Sequence, residues 1–317
     1  MRGSSFLGHA RLSPPARNRY KFRVQRAEPS LRRVWITGAG GLIGSQLVAL
    51  APDVVPGSQA VALLRSELEL TDRAAVTARF RRDAPSAILH CAALSRSPAC
   101  QADPALARRL NVEVTQHLAE LAAELPFVFL STDLVFDGRK GNYVEDDSVG
   151  PLSVYAETKV AAEAIVRAHP HHLIIRTSLN YGHSTSGDRG FNEELLNAWR
   201  AGRPTPLFTD EFRRPIAACE TARAVLELLR AKATGVFHVA GAERLSRWEI
   251  GQRVAARHPT VQPQIIATSL KTFQGAPRPA DVSLDCAKAE ARLGRTLPKF
   301  TEWLAQEKQA SRLLFDR

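Results

Sequence analysis

The chain has 317 residues, with 43 Lys and Arg against 32 Asp and Glu, and a formal net charge of +11 at pH 7. Residues 1–33 carry nine basic side chains and one acid, Glu28, for a net +8, so the other 284 residues hold only +3. A phosphate-binding field over the folded body is thereby excluded, and with it a nucleic-acid partner; no apolar run reaches the roughly 18–20 residues that span a bilayer, so no membrane partner is expected.

Residues 1–32 read as a basic, disordered extension. Their Arg-rich, acid-poor composition also fits an organellar transit peptide or a start assigned too far upstream, and they lack the apolar stretch of a secretory signal. Cys91, Cys100, Cys219 and Cys286 show no CxxC or zinc spacing. Reduced thiols, a cytoplasmic location and no metal site are expected.

Order begins at Arg33-Val34-Trp35-Ile36-Thr37, a short β-rich run that stops at glycine, as a buried parallel strand does. Gly38 to Leu50 reads as turn into helix, Ala60 to Leu64 as a second strand, and Thr71-Asp72 as a cap before helix Arg73 to Arg82. Strand Ser86 to Ala93, helix Pro104 to Leu125, strand Pro126 to Ser131, helix Pro151 to His169 and strand His172 to Thr177 continue the alternation. Beyond Tyr181 follow helices at Phe191 to Ala201 and Glu220 to Ala233, a strand at Val236 to Ala240, and helices at Trp248 to Arg257, Asp285 to Leu293 and Thr301 to Leu314. The pattern predicts, over residues 33–317, a doubly wound parallel Rossmann α/β sheet with a smaller C-terminal α/β substrate-binding lobe drawn mainly from 180–317.

Gly38, Gly41 and Gly44 form a G-x-x-G-x-x-G turn between the first strand and helix. The first glycine permits the tight turn, the second lets backbone approach a pyrophosphate, and the third lets the helix pack closely; Leu42 and Ile43 open that helix, whose free N–H groups suit phosphate. After the second strand, Arg65 suits the 2′-phosphate of NADP, while an acid there, Glu67 or Glu69, would suit NAD. NADP(H) is the preferred expectation and NAD(H) the alternative.

Tyr155 and Lys159 share a helix face at i and i+4, where an ammonium beside a phenol would lower its pKa and make it an acid/base for a carbonyl. Ser131 and Thr132 close a strand whose end should face the cofactor, where a hydroxyl can bind a substrate carbonyl. Cys91, without a His base in a nucleophile arrangement, is expected to be a small core residue.

The glycine turn, Leu68-Glu69-Leu70-Thr71-Asp72, the S-T-D-x-V-F-D-G stretch Ser131–Gly138, the P-L-x-V-Y-x-x-x-K stretch Pro151–Lys159, Ile175-Arg176-Thr177-Ser178 and Arg278-Pro279 ahead of Ser283-Leu284-Asp285 resemble the extended short-chain dehydrogenase/reductases, and within them the dTDP-4-dehydrorhamnose reductase family. The resemblance runs from Val34 nearly to the C-terminus. It implies Thr132 as catalytic hydroxyl with Ser131 beside it on the substrate, Tyr155 as acid/base, and Lys159 as the residue that lowers its pKa and binds the nicotinamide ribose. It also implies Ala92, Ala93 and Asn111 at the cofactor, and Glu69-Leu70 against the adenine. Related sugar-nucleotide enzymes hold the diphosphate with an arginine, here Arg213 or Arg214. The implied reaction is NADP(H)-dependent reduction of a sugar-nucleotide 4-ketone, dTDP-4-dehydro-L-rhamnose to dTDP-L-rhamnose first among them. Another ketone, or a non-catalytic NADP-binding subunit like the methionine adenosyltransferase β subunit, are the alternatives. Leu179-Asn180-Tyr181 departs from the tryptophan usual after the R-T-S, and Pro215-Ile216 from the usual P-T, which loosens the identity of the sugar more than the chemistry. The oligomeric state is open, a homodimer being one option.

A chain lacking residues 1–30 is expected to fold and keep its activity; loss of the folded state by circular dichroism on that truncation would contradict the reading of the extension.

Overall fold

The computed structural model describes residues 31–306. Most of the basic extension, and the expected helix Thr301–Leu314 beyond residue 306, lie outside the described residues; residues 300–306 are helical as expected.

The strands are β1 (Arg33–Thr37), β2 (Gln59–Leu63), β3 (Ala87–His90), β4 (Phe127–Thr132), β5 (Leu173–Thr177), β6 (Asn180–Tyr181), β7 (Thr205–Phe208), β8 (Phe212–Arg213), β9 (Ile216–Ala217), β10 (Gly235–Val239), β11 (Leu245–Ser246) and β12 (Ile265–Thr268). The helices are α1 (Leu42–Val54), α2 (Arg73–Asp83), α3 (Ser97–Ala102), α4 (Pro104–Arg108), α5 (Val114–Leu121), α6 (Val154–Arg167), α7 (Phe191–Arg200), α8 (Ala218–Arg230), α9 (Arg247–Arg257) and α10 (Ala287–Leu293).

Six strands form one parallel sheet in the order β10-β5-β4-β3-β1-β2. The pleat sends Val34 and Ile36 to a core shared with α1 and α8, and Trp35 to a second core with α2, α5 and α6. Apolar residues on both faces are what a doubly wound sheet requires. The chain leaves β1 toward β2 and returns through β3 to the other side, so a crevice opens past the C-terminal ends of β1 and β3. A third core, from Tyr181, Phe191, Trp199, Leu207, Ile250 and Phe300, belongs to the C-terminal lobe, whose paired strands are β6 with β9, β7 with β12 and β8 with β11.

Two differences from the sequence reading bear on the site. The strand expected to reach Ala93 ends at His90, because the Thr37 hydroxyl accepts the N–H groups of Cys91 and Ala92 at 3.2 and 3.3 Å and takes them off the ladder. The helix expected over Pro104 to Leu125 contains a π-helical turn, Arg109–Glu113, and is preceded by the short α3, which the sequence pattern did not reveal. Such a turn inserts one extra residue into a helix and often marks a functional position; here it carries Asn111, which is buried.

Helix α6 is held against the sheet by charge as well as by apolar packing. Buried Glu163 accepts both Arg176 Nε at 3.0 Å and Arg176 Nη2 at 2.8 Å, while Ser131 Oγ donates to its Oε1 at 2.6 Å. Arg176 comes from β5 and Ser131 from β4, so one carboxylate ties the helix to two strands. Removing one partner of a buried pair leaves the other charge without compensation, at a cost of about 3–5 kcal/mol. Arg176→Met is therefore expected to lower the unfolding free energy by about that amount in urea titration; a change under about 1 kcal/mol, the range of an exposed pair, would show that the pair is peripheral.

Candidate active site

The glycine turn forms a close backbone cradle. Gly38 has φ +64°, and a Cβ on it would lie 2.7 Å from Ala92 N; one on Gly44 would lie 2.2 Å from Gly38 O. The first glycine thus brings β1 against the chain leaving β3, and the third lets α1 start directly over the turn. Gly41 caps α1 without a side-chain acceptor, and the first turn holds no acid, so the N–H groups and positive dipole end of α1 suit an anion. Leu42 is buried behind this turn and Ile43 packs partly against the same core as α1. These residues fit the pyrophosphate of a dinucleotide.

At the end of β2, Arg65 is largely exposed and pairs with Glu69 at 3.1 Å. Glu69 Oε1 also accepts Thr71 N at 3.2 Å and Thr71 Oγ1 at 3.1 Å, and the Thr71 backbone N–H leads the influences holding its carboxyl below the usual value. Glu69 is thus an acceptor fixed in the turn that holds the solvent-facing Arg65 beside it; Leu70 packs partly against the second core. Ala92 is half-buried and Ala93 exposed beside the cradle.

Asn111 is a clamp. Its Oδ1 accepts Leu94 N at 2.7 Å, and its Nδ2 donates to Leu94 O at 3.1 Å and to Thr158 Oγ1 at 3.0 Å. It therefore fixes the segment after β3 to α6.

On α6, capped by Ser153 Oγ accepting Ala156 N at 3.3 Å, Tyr155 and Lys159 lie one turn apart. Lys159 is 3% exposed; its Nζ donates to Leu130 O at 2.5 Å and stands 3.9 Å from the Phe129 ring centroid. Burial pulls its pKa down to about 7, against the charges of Glu163 and Cys91. Burial, helped by the Lys159 charge, holds His90 at about 3, so that ring is neutral, and burial raises the Cys91 thiol to about 12. Cys91 is therefore no nucleophile, as its sequence context predicts.

Thr132 ends β4, accepts Leu134 N at 3.2 Å, and donates to Asp133 Oδ1 at 3.2 Å. Its side chain also lies near enough to the Tyr155 phenol to pull that group's pKa down a little. Thr132, Tyr155 and Lys159 thus gather around the ends of β3 and β4. Two expected roles change. Tyr155 is raised above its usual pKa, first by burial and then by the Asp133 and Cys100 charges, because Lys159 directs its Nζ to Leu130 O and leaves the phenol without that support. Ser131, expected beside the substrate, is buried instead: the pleat puts it on the Phe129 side, toward α6, where its hydrogen is given to Glu163.

Arg213 is buried, with Nη2 on Glu211 Oε1 at 3.0 Å, Nη1 on Phe212 O at 3.1 Å and Nε 3.9 Å from Asp133 Oδ2. Arg214 instead donates through Nη2 to Asn142 Oδ1 at 2.9 Å. Glu211, with no exposed surface, also takes Arg278 Nε at 2.7 Å and lies 4.0 Å from Arg247 Nε, which stacks on Phe191. Sequence reasoning did not single out Asp133, Glu211 or Arg247. Asp133 sits inside the S-T-D stretch and Glu211 beside Arg213, so adjacency was a usable signal for both; Arg247 carries none. Among the described residues, no group of three or more His, Cys, Asp or Glu is placed to hold a metal ion, and no helix is long and apolar enough to cross a membrane.

Residues 32–312 match the family described as RmlD substrate binding domain. The chain belongs to that family. It is 31% identical to the probable low-salt glycan biosynthesis reductase Agl14 of Haloferax volcanii, over 86% of this chain and 95% of that one. It is 32% identical to a dTDP-4-dehydrorhamnose reductase of Sinorhizobium fredii, over 85% and 94% respectively. Among solved structures, a dTDP-4-dehydrorhamnose reductase of Clostridium acetobutylicum superposes with a TM-score of 0.78 at 25% identity, covering 89% of this chain and 99% of that one.

The buried ammonium has a consequence for stability. The pKa of Lys159 lies below its ordinary 10.5, so it costs stability in full below about pH 7, and that cost falls away as pH rises toward 10.5. Lys159→Met should thus gain most relative to the parent near or below pH 7, and its relative advantage should shrink toward pH 10. Unfolding free energies at pH 7 and pH 9.5 check this; a pH-independent difference would refute it.

Proposed function

We propose that this protein is an NADP(H)-preferring reductase of a sugar-nucleotide 4-ketone, with dTDP-4-dehydro-L-rhamnose as the first substrate to test and NAD(H) as a weaker alternative cofactor. The observation that carries the reading is the meeting of Thr132, Tyr155 and Lys159 beside the glycine cradle of Gly38, Gly41 and Gly44. Membership of a family whose members include named reductases of this class supports it.

The cradle N–H groups and the first turn of α1 would hold the pyrophosphate of the dinucleotide, and Arg65 a 2′-phosphate. When bound, the cofactor supplies a hydride to the ketone carbon. Tyr155 does the proton work: a phenol held above its usual pKa stays protonated at neutral pH and has a proton to give to the ketone oxygen. Lys159, near neutrality, needs little energy to change protonation state and lies one turn along the same helix. Ala92, Ala93 and Asn111 keep the strand-end backbone open beside the cradle, the first two as small side chains and Asn111 through its clamp on Leu94. The cluster of Arg213, Arg247 and Arg278 around the single carboxylate of Glu211 leaves surplus positive charge in the C-terminal lobe, suited to a diphosphate.

The intact trio and cradle favour turnover over a purely regulatory role. NADPH oxidation measured with a panel of keto-sugar nucleotides tests the proposal. Tyr155→Phe is expected to lower kcat by about 10²–10⁴ while the Kd for NADPH changes less than about threefold. Near-normal turnover in that variant, or no oxidation with any keto-sugar nucleotide, would overturn it.

A further inference from the structure

The chain that leaves β6 makes a loop, residues 182–190, that touches both faces of the central sheet past its C-terminal edge. At its start, a Cβ on Gly182 would lie 3.6 Å from the side chain of Leu42, the first residue of α1. Near its end, Arg96 Nη2 donates to the Asp188 carbonyl and to Asp188 Oδ2, each at 3.1 Å. Arg96 belongs to the segment after β3 and directly precedes α3, which packs against α6. Helix α1 lies in the first core and α6 in the second, on opposite faces of the sheet. The loop therefore passes from one face to the other over the crevice beside the glycine cradle. The sheet order agrees: β4, which ends in Thr132, runs between β3 and β5, and the chains that follow those two neighbours meet at Arg96 and Asp188.

Both partners of this contact are carried on well-fixed backbone. Asn192 of α7 accepts Gly182 N and donates to Gly182 O, both at 3.0 Å. Glu193 accepts Ser184 N at 2.7 Å, Arg189 N at 2.9 Å and Gly190 N at 2.8 Å, and Asn197 donates to Gly187 O at 2.8 Å. On the other side, Asn111 holds the backbone of Leu94, two residues before Arg96. Two braced segments thus meet through an exposed ionic contact. Such a pair is weak and screened by salt, which suits a contact that opens and closes.

We propose that residues 182–190 form a strap over the dinucleotide crevice, latched to the body by Arg96 and Asp188, and that opening of this latch limits release of the nicotinamide dinucleotide. The inference rests on the cradle as a dinucleotide site and not on the identity of the ketone. Closure of this kind keeps water from the reacting groups and commonly sets the rate of release.

Release of NADPH is read by stopped-flow fluorescence after mixing with excess NADP, with no ketone present. Both side chains are exposed, so substitutions there leave the packed cores untouched. Arg96→Ala and Asp188→Asn should each release NADPH about three- to tenfold faster than the parent at low salt. The double variant should be no faster than the faster single one, since both changes remove the same contact. Added NaCl should speed the parent toward the variants' rate and change the variants little. An Arg96 that instead attracts the cofactor phosphates directly gives the opposite sign at Asp188, because loss of that acid would slow release. A parental or slower rate in Asp188→Asn, multiplied effects in the double variant, or equal salt dependence in parent and variants would each overturn the proposal. No binding of NADPH or NADH by the parent would overturn the cradle reading and the strap together, whereas parental binding with unaltered release in the variants overturns the strap alone.

Discussion

The carboxylate of Glu163 governs how α6 sits on the sheet, and with it the placement of Tyr155 and Lys159. It is buried where water cannot compensate its charge, so its oxygens must be satisfied by the protein, and Arg176 and Ser131 do so from two adjacent strands. That requirement fixes the rotation of α6 about its axis. Once Glu163 points at the sheet, Lys159 and Tyr155 at the preceding i−4 positions follow along the same stripe, toward the ends of β3 and β4. Arg176 also reaches the Glu145 carbonyl and the Phe136 ring, which joins the same anchor to the segment that follows β4.

A second restraint works on the other side of the crevice. Thr37 and Asn111 satisfy the backbone just past β3 by side-chain hydrogen bonds, so these residues need no ladder partner and can lie beside the glycine cradle. The π-helical turn is what turns Asn111 inward, and from there it reaches Thr158 on α6. The segment beside the glycine cradle and α6 are therefore joined by one buried amide. Buried polar networks of this kind specify a single arrangement when every member is satisfied.

The charge of the chain divides by function. The body outside the first 33 residues is nearly neutral, yet it concentrates Arg213, Arg247 and Arg278 around Glu211 in the C-terminal lobe. Burial is strong enough there to draw Arg247 down to about 10, against the pull of Glu211. Three guanidinium groups on one carboxylate are held together by that acid, and Asp133 links the cluster to the Thr132 hydroxyl.

Periodicity alone determined the parallel sheet, because strands buried on both faces must be apolar throughout and the glycine turn must separate the first strand from its helix. The glycine turn and the shared helix face of Tyr155 and Lys159 were likewise legible, since they are local: turn chemistry and i, i+4 spacing do not depend on distant chain. What the fold alone decided are the long-range pairings. Whether Ser131 faces substrate or Glu163 depends on strand parity against a helix 32 residues away, and whether Arg213 is free or committed depends on Glu211 and Asp133 converging from separate segments. The protonation of Tyr155 belongs to the same class. Spacing puts an ammonium one turn from the phenol, but burial and the Leu130 carbonyl determine where that ammonium points, and desolvation is a property of the packed molecule that no string of residues carries.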